Sequence, residues 1–128
     1  MINGIHHVAI ICSEYKTSKK FYTETLGLRV LAENHQPSRG SIKLDLQLAD
    51  KTQLELFYFK SAPERLSYPE ARGLRHLAFS TDNLTDLKVT LESKNVDVQE
   101  IRIDEYTGKR FMFIEDPDGL PIEFYETD

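Results

Sequence analysis

The sequence predicts an α+β fold built from two copies of one βαβββ module. The first observation is that GIHHVAII at 4–11 recurs as GLRHLAFS at 73–80, with Gly, His and Ala at matching positions and the two histidines 69 positions apart. The second is that LELFY at 54–58 recurs as IEFYE at 122–126, which places a glutamate inside an apolar stretch twice, 68 positions apart. Each copy of the module therefore carries one His and one Glu.

Length and composition predict a single soluble domain. The chain has 128 residues, 40% of them hydrophobic and 29% charged, which is enough for one core and too little for two ordinary domains. No apolar run approaches the roughly 18–20 residues that cross a bilayer, and no secretory pattern is present at the N-terminus. We therefore expect no membrane partner.

The net charge and the cysteine count limit the expected binding partners and cellular compartment. The formal net charge of −5 argues against a nucleic-acid surface, since phosphate binding requires clustered Lys and Arg. The single cysteine, Cys12, cannot form an internal disulfide and is typical of a reducing compartment. We expect a cytoplasmic protein that binds a small molecule.

The first module is predicted over residues 1–60. Alternating apolar residues rich in Val and Ile predict a strand at 5–12, and Ser13 is placed to cap a helix that ends at Gly27. That helix rests on residues at helical spacing: Tyr15, Ser18, Tyr22 and Leu26. Three strands at 28–33, 41–49 and 53–59 complete the module, with a turn at 50–51 between the last two.

The second module, over residues 73–128, repeats this order. A strand at 74–80 leads to Thr81 or Asp82 as the cap of a helix, followed by strands at 96–103, 109–115 and 121–126. The apolar face of that helix is predicted to contain Leu84, Leu87 and Leu91. A strong turn at 116–119 separates the last two strands. Residues 61–72 contain two prolines and little periodicity, and are predicted to connect the modules within one domain over 1–128.

Strand periodicity places the repeated polar residues on the sheet faces opposite the helices. Successive side chains of a strand point to opposite faces, so His7 shares a face with Ala9 and Glu55 shares one with Phe57. In the second module, His76 likewise falls on the face of Ala78, opposite Leu77 and Phe79, and Glu123 falls opposite Ile122 and Phe124. A curved sheet would gather these residues into a cleft.

Two imidazoles and two carboxylates in such a cleft predict a divalent metal site. These ligands suit Zn, Ni, Fe, Mn or Co, and no thiolate is available for Cu(I). A lone strand His is more commonly structural, and a lone Glu can simply face water. The shared phase of His7, Glu55, His76 and Glu123 nevertheless favours a metal, because isolated charges rarely bury unless paired or metal-bound.

Three stretches together resemble the vicinal oxygen chelate superfamily, and within it the glyoxalase I-like branch. They are GIHHVAII followed by FYTETLGL, GLRHLAFS, and FIEDPDGLPIEFYE. The resemblance implies paired βαβββ modules that form an open U-shaped barrel around one divalent metal ion. It also implies His7, Glu55, His76 and Glu123 as the metal ligands. Relatives that cleave aromatic rings or transfer thiols to fosfomycin present two His and one Glu, so a fourth ligand, Glu55, favours the glyoxalase branch.

The resemblance further implies a lyase that converts the hemithioacetal of a 2-oxoaldehyde into a 2-hydroxyacyl thioester. A carboxylate near the metal would move a proton between neighbouring carbons, with Glu123 as the first candidate and Glu55 as the second. Phe57, Phe59 and Tyr125 would either line the cleft or pack in the core. Two alternatives stay open: another enzyme of the superfamily (a dioxygenase, epimerase or thiol transferase), or a metal-free binding module.

Assembly and thiol use are also predicted from the resemblance. Modules of two chains commonly pair in the superfamily, so we expect a symmetric homodimer. Glyoxalase I enzymes hold glutathione through an Arg four positions after the first His and an Asn four positions after the first Glu. Those positions are Ile11 and Phe59 here, which predicts poor use of glutathione. The possible replacement cations are Arg39, Arg72, Arg75 and Arg110.

Overall fold

The computed structural model describes residues 1–128 and confirms the repeated βαβββ order of an α+β fold. The first half contains β1 (His7–Cys12), α1 (Tyr15–Lys20) continued by a π-helical segment (Phe21–Thr25), β2 (Arg29–Gln36), β3 (Ser41–Gln47) and β4 (Gln53–Tyr58). The second half contains β5 (Leu77–Thr81), α2 (Leu84–Ser93), β6 (Arg102–Ile103), β7 (Arg110–Glu115) and β8 (Pro121–Glu126). Neither helix has the length and apolar character that crossing a membrane requires.

The chain divides into two compact units, Met1–Glu64 and Arg65–Asp128, and the boundary falls inside the predicted connector. Each unit holds one open four-stranded sheet, ordered β1-β4-β3-β2 in the first and β5-β8-β7-β6 in the second. In both sheets the first and last strands of the unit pair in parallel, and the other pairs are antiparallel. The assignment of 1–128 as a single domain stays a prediction.

In each unit the helix packs on one face of the sheet, and the core lies between them. The buried apolar residues of the first unit are Ile10, Cys12, Tyr22, Leu44, Leu46, Leu54 and Leu56. Those of the second are Leu84, Leu91, Val98, Met112, Ile114, Ile122 and Phe124. Because the buried strand residues alternate with more exposed ones, the predicted strand phase is confirmed, and the His and Glu side chains lie on the faces away from the helices.

Several predicted boundaries shift for local reasons. Helix α2 is capped by Asn83 rather than Thr81 or Asp82, because the Asn83 side chain accepts from the Asp86 N–H at 3.0 Å and donates back to the Asp86 carboxylate. Helix α1 is preceded by Glu14 rather than Ser13, without a side-chain cap. Its predicted end is confirmed: Gly27 adopts φ +77°, a left-handed conformation that favours glycine.

Two strands, β5 and β6, begin at least three residues later than predicted. The segment 96–103 forms a strand only at Arg102–Ile103, and the stretch before it is tied to β7 by the bond from the Gln99 N–H to the Phe113 carbonyl. Strand β5 begins at Leu77 rather than 74, since the carbonyls of Leu74 and Arg75 accept from the Arg65 guanidinium instead of from a neighbouring strand.

Glu126 joins the helix and sheet of the second unit. Its carboxylate accepts from the N–H of Leu84 at 2.8 Å and from two guanidinium nitrogens of Arg110, each at 2.9 Å. The Arg110 bonds, followed by the Leu84 N–H, lower the pKa of Glu126 from its ordinary value of 4.5 to about 2. The ionised carboxylate therefore stabilises the start of α2.

This geometry predicts a pH-dependent stability difference for Glu126→Gln. The folded-state pKa of Glu126 is lowered, so its contribution is fully present above about pH 4.5 and is lost as the pH falls towards 2. We expect the variant to have a lower Tm than the wild type at pH 7, and the two Tm values to converge between pH 4.5 and 2. Thermal unfolding followed by circular dichroism measures this, with Glu100→Gln at an exposed position as the control. A Tm difference that stays constant down to pH 2 would contradict the assignment.

Candidate active site

The first unit brings His7 and Glu55 together. β1 and β4 run parallel with Ala9 opposite Glu55, so His7, two residues before Ala9, lies on the same face as that glutamate. His7 Nε2 is 3.6 Å from Glu55 Oε2. The Glu55 side chain is 13% exposed and the His7 side chain 43% exposed, so the carboxylate is sheltered and the imidazole is open.

The second unit repeats this arrangement with His76 and Glu123. Ala78 of β5 lies opposite Glu123 of β8, and His76 precedes Ala78 by two residues. His76 Nε2 is 3.3 Å from Glu123 Oε1, with side-chain exposures of 26% and 14%. The sequence-predicted His and Glu are therefore paired within each unit through the same strand register.

In each pair, the second ring nitrogen of the histidine, Nδ1, contacts the side chain of the preceding residue. His6 and His7 lie with their Nδ1 atoms 3.0 Å apart, and Arg75 Nη1 is 3.3 Å from His76 Nδ1. In both pairs the other ring nitrogen, Nε2, faces the glutamate. The structure thus places His6, which is not repeated in the second module, against a predicted ligand.

Each unit thus offers two potential metal ligands. No group of three or more His, Cys, Asp or Glu side chains placed to hold a metal ion occurs in the chain. The convergence of His7, Glu55, His76 and Glu123 on one ion stays a prediction.

The face around His7 and Glu55 is charged. Asp45 of β3 lies directly opposite Glu55, and Lys43 Nζ is 3.4 Å from Asp45 Oδ1 and 3.8 Å from Glu55 Oε2. Asp45 Oδ1 is buried and accepts no hydrogen bond, since the Lys43 contact has the distance of an ion pair without hydrogen-bond geometry. Phe57 of β4 and Phe59, which directly follows the end of that strand, stack with their ring centres 5.7 Å apart.

The corresponding face of the second unit is aromatic and borders a cavity of about 460 Å³. Phe113 lies opposite Glu123, at the position that Asp45 has in the first unit, and its ring meets the His76 ring edge-on at 5.1 Å. Phe111 corresponds in the same way to Lys43. The cavity is lined by Ser67, Tyr68, Glu70, Arg75, His76, Gln99, Arg102, Phe111, Phe113, Ile114, Glu115, Pro121 and Glu123.

Tyr125 stands beside this cavity and is held by its own contacts. Its ring stacks on Phe111 at 6.5 Å, and its hydroxyl donates to Asp104 at 3.0 Å and contacts the Thr107 hydroxyl. The ring therefore packs against Phe111, and Tyr125 is not among the residues that line the cavity.

Sequence reasoning missed several residues near the two pairs, notably Lys43, Asp45, Arg102, Phe111 and Phe113. A usable indication was present for four of them, because the offset of 68 that relates Glu55 to Glu123 also relates Asp45 to Phe113 and Lys43 to Phe111. No such indication was present for Arg102, because a strand of two residues is too short to show an alternating pattern.

Comparison with known proteins agrees with the repeated βαβββ fold. The family model for the Glyoxalase/Bleomycin resistance protein/Dioxygenase superfamily matches residues 4–124. The uncharacterized protein YaeR of Escherichia coli (strain K12) is 51% identical over 125 residues, which cover 98% of this chain and 97% of YaeR.

Two solved structures extend the comparison. The crystal structure of a glyoxalase family protein from Enterococcus faecalis is 47% identical, has a TM-score of 0.89, and covers 96% of this chain and 97% of its own. A glyoxalase I of Leishmania major, described as trypanothione-dependent, is 27% identical with a TM-score of 0.73, over 98% of this chain and 87% of its own. The match over nearly the whole length and the repeated βαβββ units show that the chain belongs to the glyoxalase/bleomycin resistance protein/dioxygenase superfamily.

Proposed function

We propose that the protein is a metal-dependent lyase or isomerase of the glyoxalase I type. It would move a proton between neighbouring carbons of a small, oxygen-rich substrate derived from a 2-oxoaldehyde or a related compound. The observation that carries this proposal is the repeated His–Glu pair, His7 with Glu55 and His76 with Glu123, held by equivalent strand registers in the two units.

The residues of each pair fit a divalent metal ion. Ligand atoms about 2.1 Å from one ion, at angles of about 90–110°, lie about 3.0–3.4 Å apart. The Nε2-to-carboxylate separations of 3.6 Å and 3.3 Å are close to that range. Two imidazoles and two carboxylates would suit Zn, Ni, Co, Mn or Fe. We propose that the two pairs together hold one such ion, from one chain or from two.

The bound ion would polarise a substrate carbonyl and stabilise negative charge as it develops on that oxygen. We assign proton transfer to Glu123. Its carboxylate borders the cavity of the second unit, whereas that of Glu55 lies 3.8 Å from the Lys43 ammonium, which holds it by charge. The sheltered position of Glu123 keeps water from competing for the proton. Glu55 is the second candidate for this role.

Metal analysis tests the proposal. We expect one divalent metal ion for each His7–Glu55–His76–Glu123 set in protein purified without a chelating tag. Glu123→Gln and His76→Ala should weaken metal affinity by more than about tenfold, because changes to mere neighbours of metal ligands already cause losses of about 10–100-fold. Elemental analysis and competition titration measure this.

Glu115→Gln is the matched control, since Glu115 borders the same cavity and is not in either pair. Its metal affinity should equal that of the wild type. If the purified protein contains no metal and still binds small molecules, the metal-free binding module is the better explanation. If turnover requires oxygen, the protein is a dioxygenase and the proposal is wrong.

A second prediction concerns thiol use. Ile11 is 54% exposed and Phe59 is 41% exposed, so the positions at which glutathione-dependent enzymes carry Arg and Asn are open here but apolar. The loss of the Arg–carboxylate ion pair and the loss of the hydrogen bond from the Asn side-chain amide each remove about 1.5–3 kcal/mol of binding free energy. We expect kcat/KM with the methylglyoxal–glutathione adduct to fall below about 10⁴ M⁻¹s⁻¹.

The double variant Ile11→Arg with Phe59→Asn sharpens this prediction, because it should raise kcat/KM for the glutathione adduct. Steady-state kinetics with glutathione and with other thiols measure both effects. Wild-type kcat/KM with glutathione between about 10⁴ and 10⁸ M⁻¹s⁻¹ would show the prediction to be wrong.

A third prediction concerns assembly. Each unit supplies only half of the proposed four-ligand set, and modules of two chains commonly pair in the superfamily, so we expect a symmetric homodimer. Light scattering at micromolar concentration should give twice the 14.8 kDa chain mass. A monomer mass at that concentration would contradict the prediction.

A further inference from the structure

The cavity of the second unit contains a cation whose charge no carboxylate balances, and this points to the charge of the substrate. We propose that Arg102 binds an anionic group of the substrate, a carboxylate or a phosphate, while the oxygens that react lie at His76 and Glu123. The inference rests on the proposed function insofar as it takes this cavity as the substrate site.

The two arginines of the cavity differ in their partners. Arg75 forms an ion pair with Glu70, with Nε 2.9 Å from the carboxylate, and its charge is therefore already compensated. Arg102 reaches only the neutral side-chain oxygen of Gln99, at 3.5 Å, and forms no ion pair with a carboxylate. Arg102 is also exposed, so its guanidinium is free to meet a ligand.

Aromatic rings fix the position of this guanidinium. Its central carbon lies 5.0 Å from the centre of the Phe111 ring and 5.7 Å from that of Phe113. Cation–π attraction and the planar shape of both groups favour such stacking, and it limits the rotamers of the arginine. The Phe113 ring also contacts His76, so a single ring separates the cation from the proposed metal ligand.

Apart from Glu123, which contacts His76, the cavity carboxylate that forms no ion pair is Glu115, and it is too distant to neutralise Arg102. Arg102 lies opposite Phe111 in the sheet, and Glu115 is four residues further along β7. At about 3.3 Å per residue this separation is about 13 Å along the strand. Solvent ions screen charges over about 8–10 Å at ordinary ionic strength. Arg102 is therefore an effective positive charge.

These positions define a class of substrate. A guanidinium binds carboxylates and phosphates through two parallel hydrogen bonds. A cavity of about 460 Å³ is of the size that takes a small molecule. The geometry points to a compact compound with two neighbouring oxygens at one end, an apolar middle against Phe111 and Phe113, and a carboxylate or phosphate at the other end.

Anion binding to metal-free protein tests the inference independently of catalysis. Wild-type protein would be titrated with malonate, inorganic phosphate and the neutral compound malonamide, and followed by NMR shifts of residues around the cavity. We expect one of the two anions to bind with saturation and malonamide not to bind. Which anion binds more tightly distinguishes a carboxylate from a phosphate site.

Arg102→Gln should weaken the binding of that anion by at least about tenfold, since it removes charge-assisted hydrogen bonds. Arg102→Lys keeps the positive charge but cannot form two parallel hydrogen bonds, so its anion affinity should lie between those of the wild type and Arg102→Gln. Arg29→Gln removes the same side chain from an exposed position at the start of β2 in the other unit and is the matched control. Circular dichroism would verify that each variant is folded.

The outcomes separate this inference from the proposed function. Anion binding that requires Arg102, in protein that never takes up a metal, would support the inference and contradict the metal-dependent lyase. Two results would overturn the inference: anions that bind no better than malonamide, or an anion affinity of Arg102→Gln that is no lower than that of Arg29→Gln.

Discussion

The parallel pairing of the first and last strands in each unit is the constraint on which the candidate site depends. It sets Ala9 against Glu55 and Ala78 against Glu123, and it thereby brings a histidine two residues upstream onto the face of each glutamate. A shift of this register by one residue would turn each glutamate into the core beneath the helix, where an unpaired carboxylate is strongly disfavoured. Leu54 and Leu56, the buried leucines on either side of Glu55, stabilise this register.

The two units share this framework but differ in the chemistry of the faces that carry it. Lys43 and Asp45 make a charged face in the first unit, whereas Phe111 and Phe113 occupy the equivalent positions in the second. Duplicated units keep their core and their His–Glu pair, while the side chains one row away are free to diverge. That divergence gives the first unit a charged face and the second unit an aromatic face beside its His–Glu pair.

Much of the fold could be predicted from the sequence because the pattern of the βαβββ module occurs twice in the chain. Alternation and the 68–69 residue offset were enough for the βαβββ order and the strand faces, whereas the pairing of each histidine with the glutamate of its own unit came from the structure. Elements that depend on distant partners were less accessible. The start of β5 depends on the guanidinium of Arg65, and the cap of α2 is reinforced by Glu126, neither of which local patterns reveal. The role of Arg102 likewise depends on rings that only the folded sheet brings beneath it.

The central claim is that His7, Glu55, His76 and Glu123 bind one divalent metal ion. X-ray absorption spectroscopy of the metal-loaded protein at the metal edge tests it most directly, because it counts imidazole ligands and gives ligand distances without a crystal. The account predicts two imidazoles and additional oxygen ligands, with His and carboxylate bonds near 2.0–2.2 Å. That spectrum should lose one imidazole in His7→Ala and one in His76→Ala. A spectrum with one imidazole or none, or one unchanged in either variant, would contradict the claim.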